Sequence, residues 1–517
     1  MIETKTGTNR SAGITYQTLL DEDSHPVPDI MRVEQPLPPG PTRIDASIYY
    51  SREFHDLEVE KIWSRVWQMA CHEDDIPEVG DYLPYDIAHL SFLVVRTAEN
   101  EFKAFHNACL HRGRMLKTHP GKRAREFRCA FHGWAWHMDG KLKEVPCHWD
   151  FPTVDEAGYS LPEVKLGRWG GFIFINPDDQ AEPLEDFLGT LSDQFPNVPY
   201  ERRHVTAHVH KILRCNWKIA QEAFSEAYHV IATHPTILET IGDANTQYDV
   251  FGNYSRAMSP NFTPSPHLGH NPNPQWEALE DGRLYTKLRH PLTGHVYELA
   301  PDGLVHVTDH AGQVSRFEAD ATWVEGPLTH ADPNMLNWIG GAHLPDANVV
   351  PLAPAPEVPA EKNLRQVMAQ PIRESFRKNL GDLMDSVSDA ELLDSIYLTV
   401  FPNFHPWGSF NQIVYRFRPN GDNPEECIME CLYMTPTPTD QPRPPAPAIH
   451  YLGPDDDWVE APELGMLAKV FNQDVVNMPE VQKGLKTLKR PEVILANYGE
   501  SKPRHFHQLL NEWINRP

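Results

Sequence analysis

Cys109-Leu-His111, a spacer at 112–128, and Cys129-Ala-Phe-His132-Gly133-Trp134 together place two cysteine–histidine pairs on two short loops. Each pair offers one thiolate and one imidazole, so the loops make a four-ligand set. Such a set suits either structural zinc or a two-iron cluster with both thiolates on one iron and both imidazoles on the other. Zinc fingers group Cys with Cys and His with His. Here each loop supplies one of each, which favours the cluster. Gly133-Trp134 adds a turn and an apolar cover that would shield a redox centre.

Around these loops the chain alternates in the manner of strands. Ser91-Phe-Leu-Val-Val-Arg96 and Gly171-Phe-Ile-Phe-Ile-Asn176 are short apolar runs, and Asp139-Gly140 is a hairpin signal. Residues from Trp67 to about Asn176 therefore read as a compact β domain. A helical pattern precedes it over Ser51–Val66, with Phe54, Leu57, Ile62 and Trp63 at three- and four-residue steps. Residues 1–45, polar and then proline-rich, read as an arm lying on the surface or on another subunit. Downstream, Leu184–Phe195 reads as a helix and Val205–Leu213 as a strand, followed by a helix that Asn216 can cap. Residues 240–390 are loop-rich without a clean period. Strands resume at Tyr397–Phe401, Gln412–Phe417 and Cys427–Met434. Two helices, Leu464–Leu488 (interrupted by Pro479) and His505–Ile514, close the chain.

Composition narrows the class. The 517 residues suggest two to four domains. A net charge of −26, from 46 basic and 72 acidic residues, argues against a nucleic-acid surface and for an enzyme acting on small molecules. No apolar run approaches the ~20 residues of a membrane helix. The start lacks a secretory pattern, so the expected location is cytoplasmic. Seven cysteines are too few and too scattered for a disulfide scaffold. The spacer carries Arg112, Arg114, Lys117, Lys122, Arg123, Arg125 and Arg128 against Glu126 alone. This patch either balances a cluster's negative charge or docks an acidic electron donor.

A second constellation lies in Asn216-Trp-Lys-Ile-Ala-Gln-Glu222-Ala223-Phe-Ser-Glu226-Ala-Tyr-His229-Val-Ile-Ala-Thr-His234-Pro235. On a regular helix Glu222, Glu226 and His229 share a face. Pro235 disfavours helix at His234, so a turn there can bring both imidazoles to one ion. Alone, a His-x4-His pair among 27 histidines is a weak signal. His204, His208 and His210 alternate on a strand and read as a wet face. Cys427 and Cys431 read as core thiols.

The two cysteine–histidine loops resemble the Rieske [2Fe–2S] domain of ring-hydroxylating oxygenase large (alpha) subunits. Cys71 and Cys147 lie outside both loops, unlike the extra cysteine pair of respiratory and photosynthetic Rieske proteins. The resemblance implies a [2Fe–2S] cluster on Cys109, His111, Cys129 and His132. The second stretch is similar to the same family's mononuclear Fe(II) site, implying His229, His234 and a distant Asp474 as ligands. Two departures are visible: Ala223 stands where the family has Asn, and Glu226 where it has Asp. In the family that acid joins the ligand histidine to a Rieske histidine of a neighbouring subunit, so Glu226 would link His229 to His132 of another chain. Phe401-Pro-Asn403-Phe404 resembles the strand lining the family's substrate cavity, with core packing an equal reading of the same residues.

The implied fold is α+β: an N-terminal antiparallel β Rieske domain (46–180, with its preceding helix) and a helix-grip, START/Bet v1-like catalytic domain (181–517). Residues 240–390 would be a divergent insertion contributing pocket walls or a lid. The implied assembly is a homotrimer, with a beta subunit possible. The implied partners are a ferredoxin and/or an NAD(P)H-dependent reductase, O2 and a small apolar, aromatic or polycyclic substrate, with no nucleic acid or membrane. The implied activity is dihydroxylation, monohydroxylation or dealkylation. Two other readings remain at this point: an electron-transfer protein with an inert second domain, and a zinc-stabilised binding protein.

Overall fold

Six strands near the N-terminus pair antiparallel in the order Gln68–His72, Phe172–Asn176, Glu163–Trp169, Glu101–His106, Leu90–Ala98, Tyr82–Ile87. This is the architecture in a computed structural model of the chain, which describes residues 14–268, 276–277, 287–342, 357–438 and 441–517. The first thirteen residues of the arm and parts of 240–390 lie outside these. A three-stranded sheet, Phe127–Arg128, Ala135–Trp136 and Leu142–Glu144, carries the second cysteine loop. A separate small core packs behind both loops, with Phe105, Phe127, Trp134 and Trp136 around Cys109 and Cys129.

The second sheet has eight strands. Its order is Gln247–Phe251, Tyr254–Ser259, Ser395–Val400, Phe404–Pro406, Ile413–Asn420, Asn423–Pro436, Arg203–Leu213, His450–Leu452, and only the last pairing is parallel. Helices Trp217–Ala223, Met466–Val475, Met478–Leu485 and Ser501–Ile514 join it in one core. The closing helix breaks at Val476–Asn477, just before Pro479, whose ring cannot continue a helix.

The two sheets share that core. Phe404 packs against Phe172 and Phe174 of the first sheet at ring distances of 4.8 and 5.3 Å. The Ser51–Val66 pattern forms an α-helix, Arg52–Glu58, capped by Ser51 and continued by a π-turn, Val59–Trp63. It sets Trp63 edge-on to Trp217, 5.0 Å away. Beside this contact Lys218 Nζ meets Glu58 Oε1 at 2.7 Å in a fully buried ion pair. Removing either partner would strand a charge away from water, so the pair ties the helix before the first sheet to the helix that carries Glu222.

Several expectations change. Of the two placements expected for the arm, its described part shows the first, packing on its own chain: Tyr16 Oη donates to Asp394 Oδ2 (2.8 Å) and Arg256 donates to Ile30 O (2.7 Å). Leu184–Phe195 is a short helix, Leu184–Leu188, stopped by Gly189 at φ +54°, and then a 3-10 turn, Leu191–Gln194. Residues 240–390 hold more regular structure than their sequence suggests. They supply the Gln247–Phe251/Tyr254–Ser259 hairpin to the large sheet, a six-stranded meander ending at Trp323–Glu325, and the helix Leu364–Leu380. The meander strands are two to four residues long, too short to show a period. Of the two readings of Phe401 and Phe404, their burial in the shared core fits packing. Cys427 and Cys431 are buried, as expected of core thiols.

The histidine strand is mostly covered, with Asp75 of the first domain 3.8 Å from His208 and His210 half-buried. His204 and His208 are buried, and His208 Nε2–H donates to Glu430 Oε2 at 3.2 Å. Burial by itself would pull its pKa down, but the carboxylates of Asp75 and Glu430 outweigh that and hold it up at about 9. The unfolded value is about 6.5, so this stabilisation is fully present below that pH and is lost as pH rises through 9. The guanidinium unfolding midpoint should therefore fall more steeply between pH 6.5 and 9.5 in the wild type than in His208→Gln. Parallel curves would contradict the pairing.

Candidate functional site

The two cysteine loops are built alike. In the first, Gly113 N–H donates to Cys109 O (2.9 Å) and Cys109 N–H to Arg114 O (2.8 Å). In the second, Gly133 N–H donates to Cys129 O (3.1 Å) and Cys129 N–H to Trp134 O (2.8 Å). Both loops close on a glycine in the left-handed region, Gly113 at φ +73° and Gly133 at φ +81°, which explains a glycine four residues after each cysteine. Cys109 and Cys129 are buried free thiols, each receiving two backbone N–H groups of its own loop. The His111 and His132 rings lie 4.5 Å apart. His111 stacks on Trp134 at 5.1 Å and 6°, and its Nδ1 is buried without a hydrogen-bond partner. Two thiols and two imidazoles converging with an orphaned ring nitrogen fit a [2Fe–2S] cluster and leave nothing that a zinc finger's grouping would explain.

The surface around this tip is basic and apolar. Arg128 and Lys143 hold Glu126 down to about 2 by hydrogen bonding and charge. Arg112, Arg114, Lys122, Arg123 and Arg125 have no carboxylate partner among the described residues. Phe131 and Trp149 are 58% and 81% exposed beside them, where most aromatic side chains would be covered.

In the second domain the expected single helix is broken. It ends at Ala223 and resumes only at Val230–Thr233. Side chains take the backbone donors that a helix would use. Tyr248 Oη accepts from Ala227 N–H (2.9 Å), and Glu226 Oε2 accepts from the N–H groups of Tyr228 and His229. Glu222 is consequently turned away from the two imidazoles and accepts from Tyr49 Oη (3.0 Å) and His507 Nε2 (2.9 Å). His234 has non-helical torsions before Pro235, so the chain does turn there.

The break converges three ligands. His229, His234 and Asp474 each offer a donor atom, and these lie within 4.8 Å of one another. Asp474 Oδ1 is 3.0 Å from His234 Nε2 and 3.5 Å from His229 Nε2. Both Nδ1–H groups are occupied elsewhere: His229 donates to Glu226 Oε1 (2.6 Å) and His234 to Gln473 Oε1 (2.8 Å). Each ring therefore aims a lone pair at the same point, the arrangement in which an imidazole ligates a divalent metal. In the absence of metal, burial opposes charging His229, but Glu226 and Asp474 raise its pKa to about 9. Two imidazoles and one carboxylate are the donor set of a non-haem Fe(II) site.

Gln473 was not singled out by sequence reasoning. Its signal is only adjacency to Asp474, and Asn334 O, on a helix of the 240–390 stretch, accepts from its Nε2 at 3.5 Å. Glu226 Oε1 accepts from the His229 ring. Its Oε2 also caps the turn, so the longer side chain is fixed by three donors.

Two cavities flank the triad. One, about 360 Å³, is lined by Phe224, Val230, Ile237, Trp407, Tyr415 and Phe471 together with His229, His234 and Asp474. The other, about 240 Å³, opens beside His229 and Asp474 between Glu222, Glu226 and Glu500. Burial raises Glu500 to about 6 there. No described helix is long and apolar enough to cross a membrane.

The family profile described as the Rieske [2Fe-2S] domain matches residues 66–155, and that of the ring hydroxylating alpha subunit catalytic domain matches 198–318. The chain therefore carries a Rieske [2Fe–2S] domain followed by a ring-hydroxylating alpha-subunit catalytic domain, the domains that hold a [2Fe–2S] cluster and a mononuclear iron. The second match runs into the stretch read from sequence as divergent.

Among curated proteins the chain is similar to the chlorobenzene dioxygenase alpha subunit of Cupriavidus sp. (strain PS12), 32% identical over 197 residues, 37% of this chain and 44% of that one. It is also similar to the glycine betaine monooxygenase oxygenase subunit of Pseudomonas aeruginosa (strain UCBPP-PA14), 30% identical over 37% of this chain and 45% of that one. The matches thus span less than half the length of these relatives. Its fold is that of naphthalene 1,2-dioxygenase (TM-score 0.54, 17% identity, 92% of each chain covered). A quaternary ammonium Rieske monooxygenase shares it (TM-score 0.53, 14% identity, 93% of this chain and 100% of that one).

If Gln473 orients His234, Gln473→Ala should weaken Fe(II) or Zn(II) binding at the triad about 10–100-fold with the Rieske-type visible absorption unchanged. Equal metal affinity in isothermal titration would remove that role.

Proposed function

We propose that this chain is the oxygenase component of a Rieske system. It takes electrons derived from NAD(P)H through a ferredoxin and/or a reductase, and uses O2 to hydroxylate an apolar, aromatic or polycyclic ring. The observation that carries this reading is the convergence of His229, His234 and Asp474 on one wall of an aromatic-lined cavity. Cys109, His111, Cys129 and His132 would hold the cluster, and His229, His234 and Asp474 the mononuclear iron. When bound, the cluster supplies single electrons and the iron supplies O2 activation.

The chain's own residues do the rest. Glu226 and Gln473 lock the two imidazoles in one tautomer and orientation, so the ligand set is preorganised. Phe224, Trp407, Tyr415 and Phe471 exclude water and hold a flat apolar ring beside the triad. An electron-transfer protein needs neither a second converging ligand set nor a dry cavity next to it.

The same surfaces support a homotrimer. The basic, aromatic tip with exposed His132 complements the acidic cavity of Glu222, Glu226 and Glu500 in charge. Docking a neighbour's tip there would bring its His132 to Glu226 and so to His229, as the family resemblance implies. Addition of beta subunits and a cytoplasmic location rest on that resemblance.

Purified protein should be coloured and contain about three iron atoms and two acid-labile sulfides per chain, one iron more than a cluster alone requires. Asp474→Ala should lose that third iron and all product, by mass spectrometry, while the visible spectrum persists. Two irons in the wild type would leave only electron transfer.

Glu226→Gln retains the shape but loses the charge that supports His229. Turnover should drop at least about tenfold with cluster content intact. A wild-type rate would refute the bridging role.

A further inference from the structure

The cavity beside the triad has one wall that its apolar character does not explain. Ser259 and Ser395 stand directly opposite each other on neighbouring antiparallel strands, and Tyr397 follows two residues on. All three therefore project from one face of the sheet, and all three line the cavity, together with Asn411. Apolar residues would pack this wall at no desolvation cost, yet it presents three hydroxyls and an amide.

These groups have bonding capacity left over. Ser395 Oγ accepts from Asn261 Nδ2 at 3.3 Å, and its own O–H has no acceptor among the described residues. Asn411 uses Oδ1 for Ile396 N–H (3.1 Å) and one Nδ2–H for Asp394 O (2.9 Å), leaving its second N–H. Ser259 Oγ is 2.7 Å from Thr246 Oγ1 and is committed to it.

The wall is also rigid. Asp394, immediately before Ser395, is fully buried and receives both guanidinium nitrogens of Arg365 (2.7 and 2.8 Å), Tyr16 Oη (2.8 Å) and Asn261 N–H (2.9 Å). No lysine or arginine lines the cavity, so outside the triad no fixed cation would neutralise a carboxylate.

We propose that the substrate is a ring compound bearing a neutral oxygen substituent, such as a phenolic hydroxyl, aryl ether or aryl ketone. That oxygen accepts hydrogen bonds from Ser395 Oγ–H and Asn411 Nδ2–H. Ser395 and Asn411 are then specificity-determining residues, and they fix which ring edge faces the triad. This rests on the oxygenase reading, and it deepens that reading by naming the substrate class.

The test is equilibrium binding to the anaerobic, unreduced holoenzyme, followed by tryptophan fluorescence, since Trp407 lines the cavity. A buried neutral hydrogen bond contributes about 0.5–1.5 kcal/mol, or up to about tenfold in affinity. 2-Naphthol should bind up to about tenfold tighter than naphthalene, and 2-naphthoate should show no such gain. 2-Methoxynaphthalene, which only accepts, should exceed 2-ethylnaphthalene of the same shape. In Ser395→Ala the 2-naphthol/naphthalene ratio should fall towards one, with only the Asn411 Nδ2–H donor left, and Ser395→Thr should restore it.

Equal binding of the methoxy and ethyl compounds by wild type overturns the proposal without any variant. So does an unchanged ratio in Ser395→Ala, or tightest binding of 2-naphthoate. Because no turnover is needed, a chain that shows this preference but makes no product refutes only the oxygenase reading. An active chain indifferent to the oxygen refutes only the substrate class.

Discussion

Three backbone N–H groups, those of Ala227, Tyr228 and His229, are the constraint on which the catalytic domain turns. A helix would spend them on carbonyls four residues earlier. Here Tyr248 Oη and the Glu226 carboxylate accept them instead, and the helix stops. That diversion swings His229 and His234 into range of Asp474 on a separate helix. Were the segment continuous, Glu222 would share a face with His229 and the three donors would not meet. The same carboxylate that breaks the helix also holds His229 Nδ1, so local backbone geometry and ligand orientation are set by one side chain.

The two centres follow one logic of preorganisation. Each cysteine loop is a tight hairpin closed by a left-handed glycine, so its ligands are placed by backbone hydrogen bonds before any cofactor arrives. Each triad imidazole is placed by a side-chain acceptor on its far nitrogen. In the triad each imidazole has its far nitrogen occupied by an acceptor, Glu226 or Gln473, and its near nitrogen turned towards Asp474. The shared hydrophobic core then makes the two domains of one chain a single packed body. It does so through Phe404 against Phe172 and Phe174, and through Trp63 against Trp217 beside the buried Lys218–Glu58 pair. The exposed aromatics and unpaired cations at the cluster tip face outward from that body.

Much of this was legible in particular residues. Cys109, His111, Cys129 and His132 stand close in sequence, and their alternation within each loop distinguishes a cluster from a zinc finger. Pro235 and Pro479 marked breaks that the structure shows, because a pyrrolidine ring acts on its immediate neighbours. By contrast, Asp474 was one acid among 72, visible only by resemblance. Gln473 carried no signal, since its partner His234 lies 239 residues away. The His204–His208–His210 strand was misjudged because alternation reports that one face differs from the other. It does not report what covers the polar one.

By itself, the order of amino acids determined what depends on nearest neighbours: the ligand loops, their glycine turns, the strands around them and the proline breaks. Tertiary structure alone decided what depends on residues hundreds of positions apart. Tyr248 broke a helix that its own sequence favours, Glu430 and Asp75 turned an apparently solvated histidine into a buried cation, and Ser259 met Ser395 across a strand pair. Periodicity encodes the face a side chain presents. What that face meets is set only when the chain has closed on itself.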